Sequence, residues 1–202
     1  MHELAFSPAA ERNKSPIFQV LRRCLPEAGC VLEIGSGTAQ HIAYFAARIT
    51  HLHWQPSEHP NQFERLTLAL ERTAPSDLIR DPIVLDVARD WPEGRFSAVF
   101  SANTSHIMSW PEVERMFQGV AQAVDVGGRF ILYGPFDWQD RPMVHSNRKF
   151  HLHLQARNPD MGLRSVSALD QLAAQTGMQR IAEIAMPANN HVLVFELNEV
   201  HS

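Results

Sequence analysis

The chain has 202 residues, 45% of them apolar and 20% charged, with a formal net charge of −4. That composition suits a globular domain with one sizeable core; it speaks against a disordered chain and against a broad basic face for nucleic acid. Two cysteines, Cys24 and Cys30, are too few for a disulfide framework or a cysteine metal centre, and they fit a reducing, cytoplasmic setting.

The opening "MHELAFSPAAERNKS" has no basic region followed by an apolar run, so a secretion signal is not expected. No segment approaches the roughly 18 apolar residues of a membrane span. Ser15-Pro16 reads as an N-cap and first-turn proline, opening a helix through Ile17, Val20, Leu21 and Leu25. "CVLEI" is a first strand, and "TAQHIAYFAARI" a helix with Ile42, Phe45, Ala46 and Ile49 on one face. "LHWQPSE" is a second strand; "NQFERLTLALERTA" is a helix with Phe63, Leu66 and Leu70 inward and Pro75 just beyond it. "IVLDV" and "FSAVFSAN" are strands three and four. Pro111 starts a helix carrying Val113, Met116, Phe117, Val120 and Val124, after which Gly127-Gly128 leads into "RFILYG", strand five.

Residues 134–164 form a segment of about thirty residues without clear periodicity, longer than ordinary loops. Its aromatics (Phe136, Trp138, Phe150) predict a substrate lid rather than disorder. Ser167-x-x-Asp170 reads as a capping box for a helix that stops at Gly177. "QRIAEIAM" and "HVLVFEL" close the chain as strands joined through Pro187-Ala188-Asn189-Asn190, a link typical of an antiparallel pair. Strands alternating with amphipathic helices predict an α/β fold with a mostly parallel sheet covered on both faces.

The chemistry starts at "VLEIGSGTAQH". A strand running into Gly35-Ser36-Gly37 is how a nucleotide-binding turn begins, yet Gln40 stands where a dinucleotide fingerprint has its third glycine. Two residues before the first glycine sits Glu33, a carboxylate that would repel a pyrophosphate but would hold a cationic amino group. S-adenosylmethionine has an ammonium and no phosphate, so the electrostatics favour it over NAD. Glu58 follows strand two, where a carboxylate accepts from ribose hydroxyls; Asp86 ends strand three, placed for an adenine amine, with Val87 to pack on the ring. Such acids lie where open α/β sheets bind ligands, although each also suits capping of the segment that follows it. Asn103 ends strand four beside the expected sulfonium.

The order Glu33-x-Gly35-x-Gly37, Glu58, Asp86, Asn103, Gly127-Gly128 resembles class I S-adenosylmethionine-dependent methyltransferases. "SPAAERNKSPI", "WQPSE", "LDV" with "WP", "YGPF", "SN" before Phe150, "GLR" and "MPANN" further resemble the methyltransferase-like protein 26 type, over nearly the whole chain. The resemblance implies one Rossmann-like domain over 1–202, with a seven-stranded sheet and an antiparallel last strand. It also makes 1–26 a segment folded over the cofactor, from which Asn13 would reach the cofactor and Arg12 the substrate. Ala39 departs from the glycine common in the methyltransferase turn, and "FHLHLQ" from a more acidic segment.

His106, in "NTSHIMSW" after strand four, is the expected catalytic residue facing the acceptor; a turn-packing histidine is the alternative. Tyr133, Asn147 and Arg148 are expected substrate contacts. The 134–164 segment carries Arg141, Arg148, Lys149, Arg157 and Arg164 against Asp137, Asp140 and Asp160, a cationic excess that suits an anionic acceptor. His151-x-His153 lacks a spaced partner, so no metal is expected. The reading is methyl transfer to a small acceptor, without nucleic acid or membrane as partner. A non-catalytic cofactor-binding subunit, a macromolecular methyltransferase and an NAD-dependent reductase are the alternatives. The last is disfavoured by Glu33 and Gln40, and the macromolecular one by "NTSH" in place of an N-P-P-[FY] tetrad.

Overall fold

The computed structural model describes residues 6–73, 76–89 and 91–198, so Pro75 and the first five residues of the N-terminal segment lie outside the described residues. Seven strands, β1 Cys30–Ile34, β2 His53–Glu58, β3 Ile83–Val84, β4 Phe96–Ala102, β5 Val124–Gly134, β6 Met178–Met186 and β7 Asn190–Leu197, form one sheet. Their order is β3-β2-β1-β4-β5-β7-β6. The first five run parallel; β7 inserts antiparallel between β5 and β6. This is a Rossmann-like, mostly parallel sheet whose last strand is the reversed one, as the sequence pattern predicts.

Among the described residues six α-helices accompany it: α1 Pro8–Cys24, α2 Gln40–Ala46, α3 Phe63–Leu70, α4 Trp110–Ala123, α5 His145–Arg157 and α6 Val166–Gln175. The period-two alternation of the central strands divides the core into two layers. Leu32, Val99, Phe130 and Leu132 pack with Met116 and Phe117 of α4 and Leu169 of α6. Val31, Ala98, Phe100 and Ile131 face the other way, toward Ile17 and Leu21 of α1, Phe45 of α2 and Leu66 of α3. Among the described residues no helix is long and apolar enough to cross a membrane.

Several local expectations are corrected. Helix α1 begins at Pro8, not at Pro16: Ser7 is the N-cap, its hydroxyl accepting from Ala10 N at 3.2 Å. Pro16 therefore sits inside the helix, where it cannot donate to the carbonyl of Arg12. β3 keeps two residues of the expected five. β5 starts at Val124, which pairs with Phe96 before the register shifts and resumes at Ala98 and Arg129. Gly127 (φ 74°) lies in that excursion rather than ahead of the strand. The 134–164 segment contains a helix, α5, which lacks a sharp apolar stripe because only Asn147 and Leu154 are buried in it. Asp170 does not close a capping box; both its oxygens accept from Arg180 on β6, at 2.7 and 2.8 Å.

Candidate cofactor and acceptor site

The turn after β1 is built by backbone chemistry. Gly35 has φ 74°, and a Cβ there would lie 2.8 Å from the Thr104 methyl, so only glycine lets the turn approach the segment after β4. Gly35 N and Ser36 N both donate to Ser57 O of β2, and Gly37 N donates to Glu58 Oε2 at 2.8 Å. Ala39 adopts φ 57° at the N-cap of α2, the left-handed conformation for which glycine is the usual residue.

Glu33 pairs with Pro56 on one side and Phe100 on the other, in the middle of the sheet. It is 2% exposed, its Oε2 has no hydrogen-bond partner among the described residues, and burial pushes its carboxyl up to about 7. Glu58 Oε1 also accepts from His59 N at 2.9 Å. Asp86 Oδ1 accepts from Ala88 N at 3.0 Å, and Oδ2 lies 3.2 Å from Arg89 Nε. Both acids thus hold the segments that follow them. Val87 is buried beside them, and its carbonyl accepts from Trp91 Nε1 at 3.2 Å.

Beyond the turn opens a cavity of about 750 Å³, walled by α1, the ends of β1, β4 and β5, helix α5 and the Pro187–Asn190 turn. It brings together Arg12, Asn13, Gly35, Ser36, Gly37, Asn103, His106, Tyr133 and Asn147 from five separate parts of the chain. Glu33, Glu58, Asp86 and Val87 are not among its lining residues. Neither is Arg148, which is exposed on α5; Ser146, Asn147 and Phe150 supply that helix's contribution instead. The cause is helical phase: Asn147 faces inward, so its neighbour one position on turns away.

Asn103 has φ 61° and is fixed by its amide, which donates to Tyr133 O at 2.9 Å. His106 is 5% exposed and sits edge-on to Phe150 at 5.1 Å; its Nδ1 is buried without a partner. Burial and the nearby Arg164 cation push it down to about 4, so it is neutral at pH 7. Tyr133 is raised by burial, opposed by a hydrogen bond with Asn13.

His41 and Arg65 have no counterpart in the sequence reading, and Gln40, Arg164 and His151 take roles it did not give them. His41 Nε2 lies 2.6 Å from Asn13 Oδ1, and since that oxygen only accepts, His41 is the neutral Nε2–H tautomer. Burial pushes it down to about 4, and it stacks on Phe45 at 5.5 Å, four residues on in the same helix. Arg65 of α3 joins Arg12 on the cavity wall. Gln40 ties α1 to the glycine turn: Oε1 accepts from Ser7 N (2.6 Å) and the Thr38 hydroxyl (2.8 Å), while Nε2 donates to Glu11 at 3.0 Å. Arg164 is 8% exposed and bonded to backbone carbonyls, not a solvated lid cation. His151 Nδ1 accepts from Leu163 N at 3.1 Å, a structural role for the first of the His-x-His pair.

Several solved methyltransferases share this fold. An O-methyltransferase family protein from Burkholderia thailandensis matches with TM-score 0.78 at 17% identity, covering 94% of this chain and 57% of the other. Human N-acetylserotonin methyltransferase in complex with SAM matches at 0.76 and 12%, covering 92% and 52%. An O-methyltransferase family 2 protein from Planctomyces limnophilus in complex with apigenin matches at 0.73 and 14%, covering 91% and 61%. The chain spans little more than half the length of these proteins, and at such identities the likeness is one of fold. The chain belongs to the family described as "Protein of unknown function (DUF938)", whose model matches residues 4–197.

Proposed function

We propose that the protein is an S-adenosylmethionine-dependent methyltransferase acting on a small acceptor in the cavity beneath α1 and α5. The observation that carries the proposal is the partnerless Oε2 of Glu33, buried at the end of β1 just before the Gly35 turn. A buried carboxyl left without a partner is costly, and a cationic amino group is the partner that would satisfy it. Glu58 would take ribose hydroxyls on the lone pairs its backbone donors leave free, and Asp86 with Val87 would hold adenine. When bound, the cofactor supplies an electrophilic methyl group on a sulfonium.

The chain's own residues do the rest. Neutral His106 faces the acceptor with an uncharged imidazole that can accept a hydrogen bond from its hydroxyl or amine. With its pKa pushed down to about 4 it is a weak base, suited to a proton that leaves late, as the methyl group transfers. Asn13 and Asn103 would contact the cofactor while Tyr133 and Asn147 orient the acceptor, and alignment supplies much of the rate in a displacement at carbon. Arg12, expected as a substrate contact, supplies with Arg65 the positive charge for an anionic group, the role the sequence reading gave to Arg148. Helices α1 and α5 act as the covers that keep water out. The motif likeness to the methyltransferase-like protein 26 type, and a reducing cytoplasmic setting for free Cys24 and Cys30, belong to the same proposal.

Titration calorimetry tests it directly. S-adenosylhomocysteine is expected to bind and NADH not to. Binding of NADH alone would overturn the cofactor assignment. Incubation with S-adenosylmethionine and fractionated small metabolites should then release S-adenosylhomocysteine, and a bound cofactor without release from any fraction would favour a non-catalytic subunit.

A further inference from the structure

The turn that carries His106 is held by a buried cation that has no carboxylate in contact. Arg164 Nε donates to Ser105 O at 2.8 Å, and Nη2 donates to Met108 O and to Asp160 O, the latter at 3.0 Å. Two residues before Arg164, Gly162 N donates to His106 O at 3.0 Å. Three residues of the turn (Ser105, His106, Met108) are thereby fastened to residues 160–164, the segment that follows the α5 cover. Among the described residues, no carboxylate oxygen lies within 4.0 Å of the guanidinium. A buried arginine usually meets an acid. Here the planar fork, with five donors in fixed directions, spans carbonyls that a lysine ammonium cannot reach together.

We propose that Arg164 is the positioning residue of the acceptor site, fixing the 105–108 turn so that the His106 imidazole is held in the cavity wall, and coupling that turn to the α5 cover. The inference rests on the reading of His106 as the residue facing the acceptor. Its geometry has an electrostatic consequence, because a cation packed behind the turn opposes protonation of His106. The other titratable groups around this contact are Glu112 of α4 and Asp160, both of which attract Arg164, and His151 of α5.

The test is a histidine-labelled NMR titration of the full chain with two variants, Arg164→Met and Arg164→Lys. His106 in the parent is expected to stay neutral from pH 8 down to about 5. In Arg164→Met its midpoint should rise by about one pH unit, with its resonance split or broadened as the turn loosens. Arg164→Lys, which keeps the charge and loses the fork, should retain the low midpoint yet show the same broadening, and it serves alone if the Met variant does not fold. An unchanged His106 resonance and midpoint in both variants, or in Lys if only it folds, would overturn the proposal. Calorimetry with S-adenosylhomocysteine separates the two levels. If the parent binds none, the methyltransferase reading fails, whereas a shifted His106 with intact binding supports the positioning role.

Discussion

Gly37 donates its amide hydrogen to Oε2 of Glu58 at 2.8 Å, so the glycine turn after β1 and the acid that ends β2 form one unit. Glu58→Ala is therefore expected to remove a ligand contact and loosen the turn at once. Affinity for S-adenosylhomocysteine should fall tenfold or more, in keeping with about 1.5–3 kcal/mol for a hydrogen bond to a charged group. Calorimetry showing unchanged affinity would take Glu58 out of the site.

Glu33 sets a pH dependence of binding. Its carboxyl is raised to about 7 by burial, so it is mostly protonated below that pH and cannot pair with a cationic amino group there. Affinity for S-adenosylhomocysteine should weaken by up to about tenfold for each pH unit below 7. In Glu33→Gln the affinity should be low and flat with pH. A parent affinity that does not change from pH 5.5 to 8 would contradict the pairing.

His41 and His106 act on stability in the acid range. Both are held near 4 in the fold against an ordinary 6.5, so their contribution is complete above pH 6.5 and is lost as pH falls through 4. Each is worth at most about 3 kcal/mol. Glu33 works in the opposite sense, since its raised pKa favours the folded state below 4.5 and that benefit disappears as pH climbs to 7. Two imidazoles outweigh one carboxyl, so urea midpoints should drop between pH 6.5 and 4, and drop less in His106→Asn.

Gly119, in the middle of α4, faces the Trp91 indole so closely that a Cβ would lie 1.8 Å from it. Since Trp91 also bonds Val87 O, Gly119→Ala should displace the turn proposed to hold adenine. Overpacking of this kind costs about 1–3 kcal/mol. Both a lower melting temperature and weaker S-adenosylhomocysteine binding are expected; a stabilised variant would refute the packing argument.

Ala188 has φ 59° in the Pro187–Asn189 turn beside the cavity, and it is exposed. Glycine tolerates that conformation and loses no buried methyl there. Ala188→Gly should raise stability by about 1 kcal/mol. Chemical denaturation would settle the sign.

Periodicity carried most of the architecture. The apolar alternation of Val31/Leu32 and Phe130/Ile131, and the helical spacing of Val113, Met116 and Phe117, are local properties that any burial must respect. The antiparallel close was legible in the same way, from two strand patterns and a short polar turn. The helix boundaries were less so, because Ser7-Pro8 and Ser15-Pro16 offer the same capping chemistry, and what chose the first was the docking of α1 through Gln40. Among the acids, Glu33 stands out from the sequence alone, since a carboxylate inside an apolar strand before two glycines has to be buried. Which side chains meet across the cavity was not readable. Asn13 meets His41 across 28 positions, and Arg164 meets Ser105 across 59. Arg148 and Asn147 differ by one residue, yet only one faces inward. A side chain's direction depends on the phase of its helix against the rest of the molecule, and that phase is set by packing, not by neighbours in the chain.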